Sequence, residues 1–408
     1  MDNATIISGY NLFLPYAKNP AQLIENLKQG VRVKKNAWFS SDEEAIKCGF
    51  KGNTFVARLE PGPDNAFDLI YKLIDETLAQ AMLNKNCLRG DNVRVYLTGL
   101  GPRVDGMDYK SFYDHNDIED ITLTTSVSNL HIRNMSQDNL AFNIARKYGL
   151  NYFPPNMHCT SNSSLTAVHL GCQAIEQGGI DLVCIINCSK IKTQDIWYLE
   201  NQSMLDSEQV QPFGKNSRAV LFAEGFAVML LERSGHRRAR KMRGGVRLKS
   251  SYTQISANRS NDSAWLSTNM LKVMRNVLKD ADITLDDLSG IIPHGNGSSI
   301  SDKAEAKAIS MLAGNQSLPV LAYKGQLGYT STGSGIVDLI IGDYSVRHRE
   351  LITPVGNDEI IDDLANYILL DRGVISHDKQ HLLKMGLGVD GSIIGIVMSD
   401  IGAAGTVI

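Results

Sequence analysis

Residues 157–179, MHCTSNSSLTAVHLGCQAIEQGG, and the run DLVCIINC at 181–188 that follows them decide the fold. Thr160, Ser161, Asn162, Ser163 and Ser164 crowd ahead of a helical pattern. Leu165, Val168, Leu170, Cys172 and Ile175 make that helix apolar on most sides, which predicts burial. A side chain at the N-terminus of a buried helix meets free N–H groups and the positive end of the dipole. That position suits a nucleophile and its oxyanion, although the same hydroxyls also serve simply as caps. The run at 181–188 is apolar without alternation, so it predicts a strand covered on both faces. Cys184 and Cys188 within it read as core thiols.

Working outward, strand-like and helix-like segments alternate. Strands are expected at 4–9, 92–97, 223–232, 290–293 and 392–398, and helices at 66–83, 264–278 and 302–312. Ser136 is a good N-cap for a helix ending at Tyr148, with Gly149 as its stop. This alternation predicts an α/β fold with substantially parallel sheets.

Composition agrees with a large folded protein. The chain has 408 residues, 43% hydrophobic and 21% charged, with net charge −3, which excludes a disordered chain. The near-neutral balance argues against a nucleic-acid binder. No apolar run approaches the roughly 18 residues of a membrane span, and Met1 to Thr5 lack the pattern of a secretory leader. A cytoplasmic protein is therefore expected. Cys48, Cys87, Cys159 and Cys172, like the strand pair, follow neither disulfide nor zinc spacing, so no metal site is expected. Gly99-Leu100-Gly101 follows a strand, but Val104 stands where a dinucleotide loop needs its third glycine.

One compositional shift stands out. Arg233 to Lys249 holds eight Lys or Arg. It reads as a solvated connection dividing the chain into units 1–248 and 249–408. Its functional reading is a docking patch for an acidic partner.

Two more segments carry chemical groups. In IIPHGNGSSISDKAEAKAI (291–309), a strand ends in His294, and a Gly- and Ser-rich loop leads to a helix capped by Ser301 or Asp302. A histidine at the C-terminal end of a strand is well placed for catalysis. In LAYKGQLGYTSTGSG (321–335), Lys324 ends a strand, and Gly328, Gly333 and Gly335 permit close packing.

Together the three segments resemble the β-ketoacyl synthase family of the thiolase superfamily. The family's T-A-C-S-S-S-L-x-A-x-H-L-A-C stretch aligns without a gap from Cys159, matching Leu165, Ala167, His169, Leu170 and Cys172. H-G-T-G-T-x-x-G-D-x-x-E-A matches His294, Gly295, Gly297, Asp302, Glu305 and Ala306. K-x-x-x-G-H matches Lys324 and Gly328. Pro212, Phe213, Glu224 and Gly225 match a fourth motif, and Gly386 to Gly391 resembles the closing one. The resemblance implies a thiolase-like five-layer α-β-α-β-α fold of two similar halves, usually dimeric. It also implies an acyl carrier protein as partner, with the segment Arg237, Arg238, Arg240, Lys241 and Arg243 as its landing surface. The carrier's phosphopantetheine arm would be the substrate, with no cofactor bound by the chain itself.

The family's catalytic residues are altered. Its Cys falls on Ser161, its second His on Tyr329, and its gating Phe on Leu387. A dipole readily yields a thiolate, but a serine hydroxyl needs a general base. His294 is the base that the resemblance supplies. Loss of one donor to developing enolate charge costs about 10²–10³ in rate. Efficient elongation by this chain alone is therefore not expected. The leading reading is a chain length factor of a type II polyketide system, which pairs with a Cys-containing ketosynthase and shapes the acyl tunnel. The alternative is a serine acyltransferase or thioesterase, able to act as a homodimer. There His294 is the base, the N–H groups of Ser161 and Leu387 form the oxyanion hole, and Lys324 and Glu305 complete the site. Asn296 and Ser298 would bond the pantetheine arm in either case. A lone pantetheine-binding module is a third reading. The acidic stretch Asp114, Asp117, Glu119 and Asp120 falls where family members build dimer and tunnel.

Overall fold

Local chemistry sets many element boundaries. The Ser136 hydroxyl accepts from Asn139 N–H, the helix runs from Gln137 to Tyr148, and Gly149 ends it at φ 65°. In the computed structural model, the described residues are 2–60, 66–101, 103–107, 110, 136–205, 210–255 and 263–402. The acidic stretch at 114–120 lies outside them.

Nine strands form one sheet: β1 (Thr5–Phe13), β2 (Val93–Gly99), β3 (Asn156–Met157), β4 (Leu182–Ser189), β5 (Gly225–Arg233), β6 (Val246–Ile255), β7 (Leu288–Ile292), β8 (His381–Leu387) and β9 (Ser392–Asp400). Their order is β3-β2-β4-β5-β1-β6-β9-β8-β7. The helices that matter here are α1 (Ala66–Gln80), α2 (Gln137–Tyr148), α3 (Ser163–Glu176), α4 (Ser234–Ala239), α5 (Ser263–Asp280), α6 (Ser299–Ala313), α7 (Lys324–Leu327) and α8 (Ser334–His348).

The sheet contains a repeat that the amino acids hide. Outward from β1, successive pairs are antiparallel (β5), antiparallel (β4), parallel (β2) and parallel (β3). Outward from β6, the pairs with β9, β8 and β7 follow the same order, antiparallel, antiparallel and parallel. A parallel bridge from Ile291 to Val320 continues the pattern. Thr5 to Ile7 pair with Val246 to Leu248 and join the two sets. The expected division at 248/249 falls inside β6. The sheet is thus mixed, and the expectation of largely parallel sheets is corrected. Strands β1, β5, β6 and β9 return without a crossover helix between neighbours of like direction.

The three largest apolar cores lie between the layers of helices and strands. The central core surrounds α3 and α8 and includes Val183, Ile185, Ile394 and Ile396. An outer core takes Leu182, Cys184, Ile186 and Cys188 together with residues of α1 and α2. The other outer core takes Ile393 and Val397 together with residues of α5 and α6. Every residue of β4 is buried, because odd and even positions face different cores. That is the physical cause of its unbroken apolar run.

Two local expectations are corrected. Lys324 opens the one-turn helix α7 rather than ending a strand. Helix α6 starts at Ser299, ahead of the expected caps, because the Asp302 side chain turns back to bond the preceding loop. The two central helices approach closely where their N-termini meet. A Cβ on Gly335 would lie 2.4 Å from Leu165 Cγ and 3.0 Å from Ser164 Oγ. Gly335→Val should therefore overpack the central layer and cost roughly 1–3 kcal/mol, read as a lower urea midpoint. An unchanged midpoint would show that the two helices can separate freely.

Candidate functional site

Ser161 sits in a 3₁₀ turn, Thr160–Asn162, directly ahead of α3. Thr160 adopts a left-handed φ of 46°, an unfavourable conformation for a β-branched residue. Neighbours hold the turn in place. Ser163 Oγ donates to Thr160 O at 2.7 Å and accepts from Cys159 N–H at 3.0 Å. The Asn162 amide donates to Ser392 O and Oγ, each at 2.9 Å. The end of β8 presses on the same turn, since a Cβ on Gly386 would lie 2.4 Å from Asn162 Oδ1. Leu387, the last residue of β8, is buried there.

The Tyr329 hydroxyl donates to Ser161 Oγ in a very short hydrogen bond. Its backbone is pinned on both sides, its N–H to Leu221 O at 2.8 Å and its carbonyl to Ala223 N–H at 2.9 Å. Burial pushes the phenol up to about 12, against which its bonds to Ser161 and Asn296 pull down. The phenol is therefore protonated at neutral pH, and its proton is available for the bond to Ser161. The His294 ring meets Tyr329 edge-on, with centroids 5.9 Å apart. No hydrogen bond joins His294 to Ser161 among the described residues.

His294 stands two residues beyond β7, in a loop held by two carboxylates of α6. Glu305 accepts from His294 N–H and Gly295 N–H, both at 2.8 Å. Asp302 accepts from Phe213 N–H at 2.8 Å, Gly297 N–H at 3.0 Å and Asn296 N–H at 3.1 Å. Asn296 Oδ1 in turn accepts from Ser298 N–H at 3.0 Å. Burial raises the Glu305 carboxyl, and the two loop N–H bonds oppose the rise. Burial pushes Asp302 up to about 7, again against its N–H partners.

Behind the loop lies a buried ion cluster. Lys324 Nζ and Lys384 Nζ both donate to Asp338 Oδ2, at 2.9 and 2.5 Å. Both also reach Pro293 O, at 3.4 and 3.0 Å. All three side chains are at most 2% exposed. Burial pulls Lys384 down to about 8, with Asp338 opposing and Lys324 assisting. Burial opposes ionisation of Asp338, but the two ammonium groups hold its carboxyl below the usual range. Burial, with Lys324 and Lys384 nearby, drives the His294 imidazole well below its ordinary range. His294 is neutral at pH 7.

The structure thus gathers Ser161, His294, Asn296 and Tyr329 in one cluster, with Lys324, Glu305 and Leu387 around it and Ser298 buried in the same loop. Lys384 and Asp338 were missed from sequence. A lysine alone in the apolar strand HLLKMGL (381–387) was the available signal, since a buried charge demands a partner.

Comparison with known proteins now adds the family. The profile described as "Beta-ketoacyl synthase, N-terminal domain" matches residues 3–237, and the "Beta-ketoacyl synthase, C-terminal domain" profile matches 248–356. The chain belongs to the beta-ketoacyl synthase family. A curated relative, Pikromycin polyketide synthase component PikAII of Streptomyces venezuelae, is 25% identical over 201 residues. The match takes 47% of this chain but spans only 5% of that relative's length. A solved structure, AntDE:AntF, is described as a type II PKS acyl-carrier protein in complex with its ketosynthase bound to the hexaketide. It superposes with TM-score 0.83 at 16% identity, covering 98% of this chain and 100% of that one. The ishigamide ketosynthase/chain length factor gives TM-score 0.79 at 15% identity, covering 98% and 99%. The fold is therefore that of the thiolase-like ketosynthases.

Among the described residues no helix is long and apolar enough to cross a membrane. In the basic segment Arg238, Lys241 and Arg243 are exposed, while Arg237 is buried and Arg240 half-buried. Arg237 and Arg240 turn to Glu232, and Arg238 pairs with Asp2. The segment also lies far from Ser161. Gly225, at the start of β5, packs on Thr330 next to Tyr329, whereas Arg233 at its other end leads into α4. Nine residues at ~3.3 Å each put these ends about 26 Å apart.

Two predictions test the site's electrostatics. Asp338→Asn leaves two buried ammonium groups without a counter-ion and should cost about 3–5 kcal/mol; a loss under 1 kcal/mol in urea unfolding would contradict the shared ion pair. His294 refuses a proton that the unfolded chain accepts below about pH 6.5. Its contribution is intact above that pH and falls away in acid, by up to ~1.4 kcal/mol per pH unit. Between pH 7 and 5 the wild type should lose more stability than His294→Asn. Asp302 titrates in the opposite sense but is common to both proteins. Parallel pH profiles would show that His294 protonates normally.

Proposed function

We propose that this beta-ketoacyl synthase homologue is a non-elongating subunit. It acts as a chain length factor that pairs with a Cys-containing ketosynthase in the cytoplasm and shapes the tunnel for the acyl chain. The observation that carries the reading is the Tyr329–Ser161 hydrogen bond. A serine nucleophile must give its proton to a base as it attacks. Here Ser161 Oγ receives a proton donor instead. The phenol is too weak an acid to switch roles near neutrality, and the neutral imidazole of His294 is not bonded to the hydroxyl. The pair of imidazole donors expected for holding enolate charge is replaced by one imidazole and one phenol that is already engaged.

The retained parts fit the same role. Glu305, Asp302, Asp338 and both lysines brace the loops that would line the path of a phosphopantetheine arm. Asn296 and Ser298 lie along that path and are the proposed contacts for the arm of an acyl carrier protein. The solved AntDE:AntF complex pairs a ketosynthase with its carrier protein, and the ishigamide structure pairs a ketosynthase with a chain length factor. Both support this choice of partners.

The test is intact mass after incubation with an acyl thioester, with Ser161→Ala in parallel and a Cys-containing ketosynthase as positive control. The expected result is no adduct on either form of this chain while the control is acylated. An adduct on the wild type that is lost in Ser161→Ala would overturn the proposal. It would establish the serine acyltransferase or thioesterase reading, with His294 as base and the N–H groups of Ser161 and Leu387 as the oxyanion hole.

A further inference from the structure

The basic segment finds no use in the site around Ser161. Arg237, Arg238, Lys241, Arg243 and Arg247 instead line a cavity of about 1000 Å³, with Ile6 and Met242 among its apolar walls. Arg237 is 8% exposed. Its guanidinium bonds Ser8 Oγ at 2.9 Å and Gly244 O at 3.2 Å. Among the described residues its Nε is buried with no partner, and the same is true of Arg247 Nε. Unmet buried donors of this kind cost free energy unless something fills the space beside them.

The local carboxylates do not balance the charge. Glu232 lies 3.8 Å from Arg237 but is shared with Arg240 and His236. Asp2 is taken by Arg238. Asp343 also acts on Arg237 but is engaged by Arg347 and Tyr10, and Glu176 is the acid facing Arg247. Neither Lys241 nor Arg243 forms an ion pair among the described residues. Among the described residues no carboxylate lines the cavity itself.

We propose that this cavity binds a phosphate-bearing small molecule with an apolar body. The recessed guanidinium of Arg237 is out of reach of carboxylates on a flat protein surface, so the occupant is small enough to enter. Five basic side chains line the one cavity, which suits a tetrahedral oxyanion with several acceptor oxygens better than a planar carboxylate. Two cations without counter-ions match a dianion. The apolar walls supply burial for the rest of the ligand. The cavity sits at the end of β5 remote from Ser161, so the proposal stands apart from the reading of that residue.

The test is calorimetric titration of the full chain with inorganic phosphate and with decyl phosphate below its micelle concentration. Decyl phosphate should bind at least about tenfold more tightly than inorganic phosphate, because only it engages both parts of the cavity. Lys241→Gln combined with Arg243→Gln should weaken decyl phosphate about tenfold or more without moving the thermal midpoint, since neither side chain has a partner to lose. Arg247→Gln should weaken it as well. Absence of binding, equal binding of the two ligands, or binding unchanged in both variants would each overturn the proposal.

Discussion

Asp338 is the carboxylate on which the site depends. It lies on the central helix α8 and ties three separate pieces of chain together. Lys384 comes from β8, Lys324 from α7, and both lysines reach the carbonyl of Pro293, next to His294. In a low-dielectric interior none of these charges is tolerable alone. Each element is therefore fixed relative to the others, and the imidazole is kept neutral chiefly by its burial, with the same cations assisting. The second lysine loads two positive charges onto one carboxylate behind the imidazole.

A second constraint shapes the nucleophile position. The 3₁₀ turn that presents Ser161 is held by side chains of both halves of the molecule, Ser163 on one side and Ser392 on the other. Tyr329 enters from a third segment, whose backbone bridges Leu221 and Ala223. The short contact between phenol and serine is thus imposed by well-tied backbone. The turn and loops around position 161 are tied firmly in place, while Ser161 and Tyr329 hold each other.

Much of this was legible in the sequence, for physical reasons that differ by element. Helix α2 was readable to the residue because Ser136 and Gly149 are strong local signals. Strand β4 was readable because burial on both faces leaves mostly apolar residues, with Asn187 and Ser189 near its end. The grouping of Ser161, His294 and Tyr329 required several motifs in register, since residues so far apart in the chain reveal nothing of their proximity individually. Strand direction was misread because an apolar run does not encode which neighbour it pairs with. The start of α6 was misread because Asp302, a good cap by type, serves a loop instead. The basic segment was read for its charge alone. Arg237 and Arg240 turn to Glu232, and five of its basic residues surround a cavity, which no local pattern records.

The central claim is that Tyr329 silences position 161 by donating to it. The most direct measurement is the alkylation rate at position 161 in Ser161→Cys, read by peptide mass, with and without the further change Tyr329→His. The account predicts slow reaction in the single variant and at least about tenfold faster reaction in the double one, where an imidazole can support a thiolate. Equal rates in the two proteins would contradict it and move the cause of silence away from Tyr329.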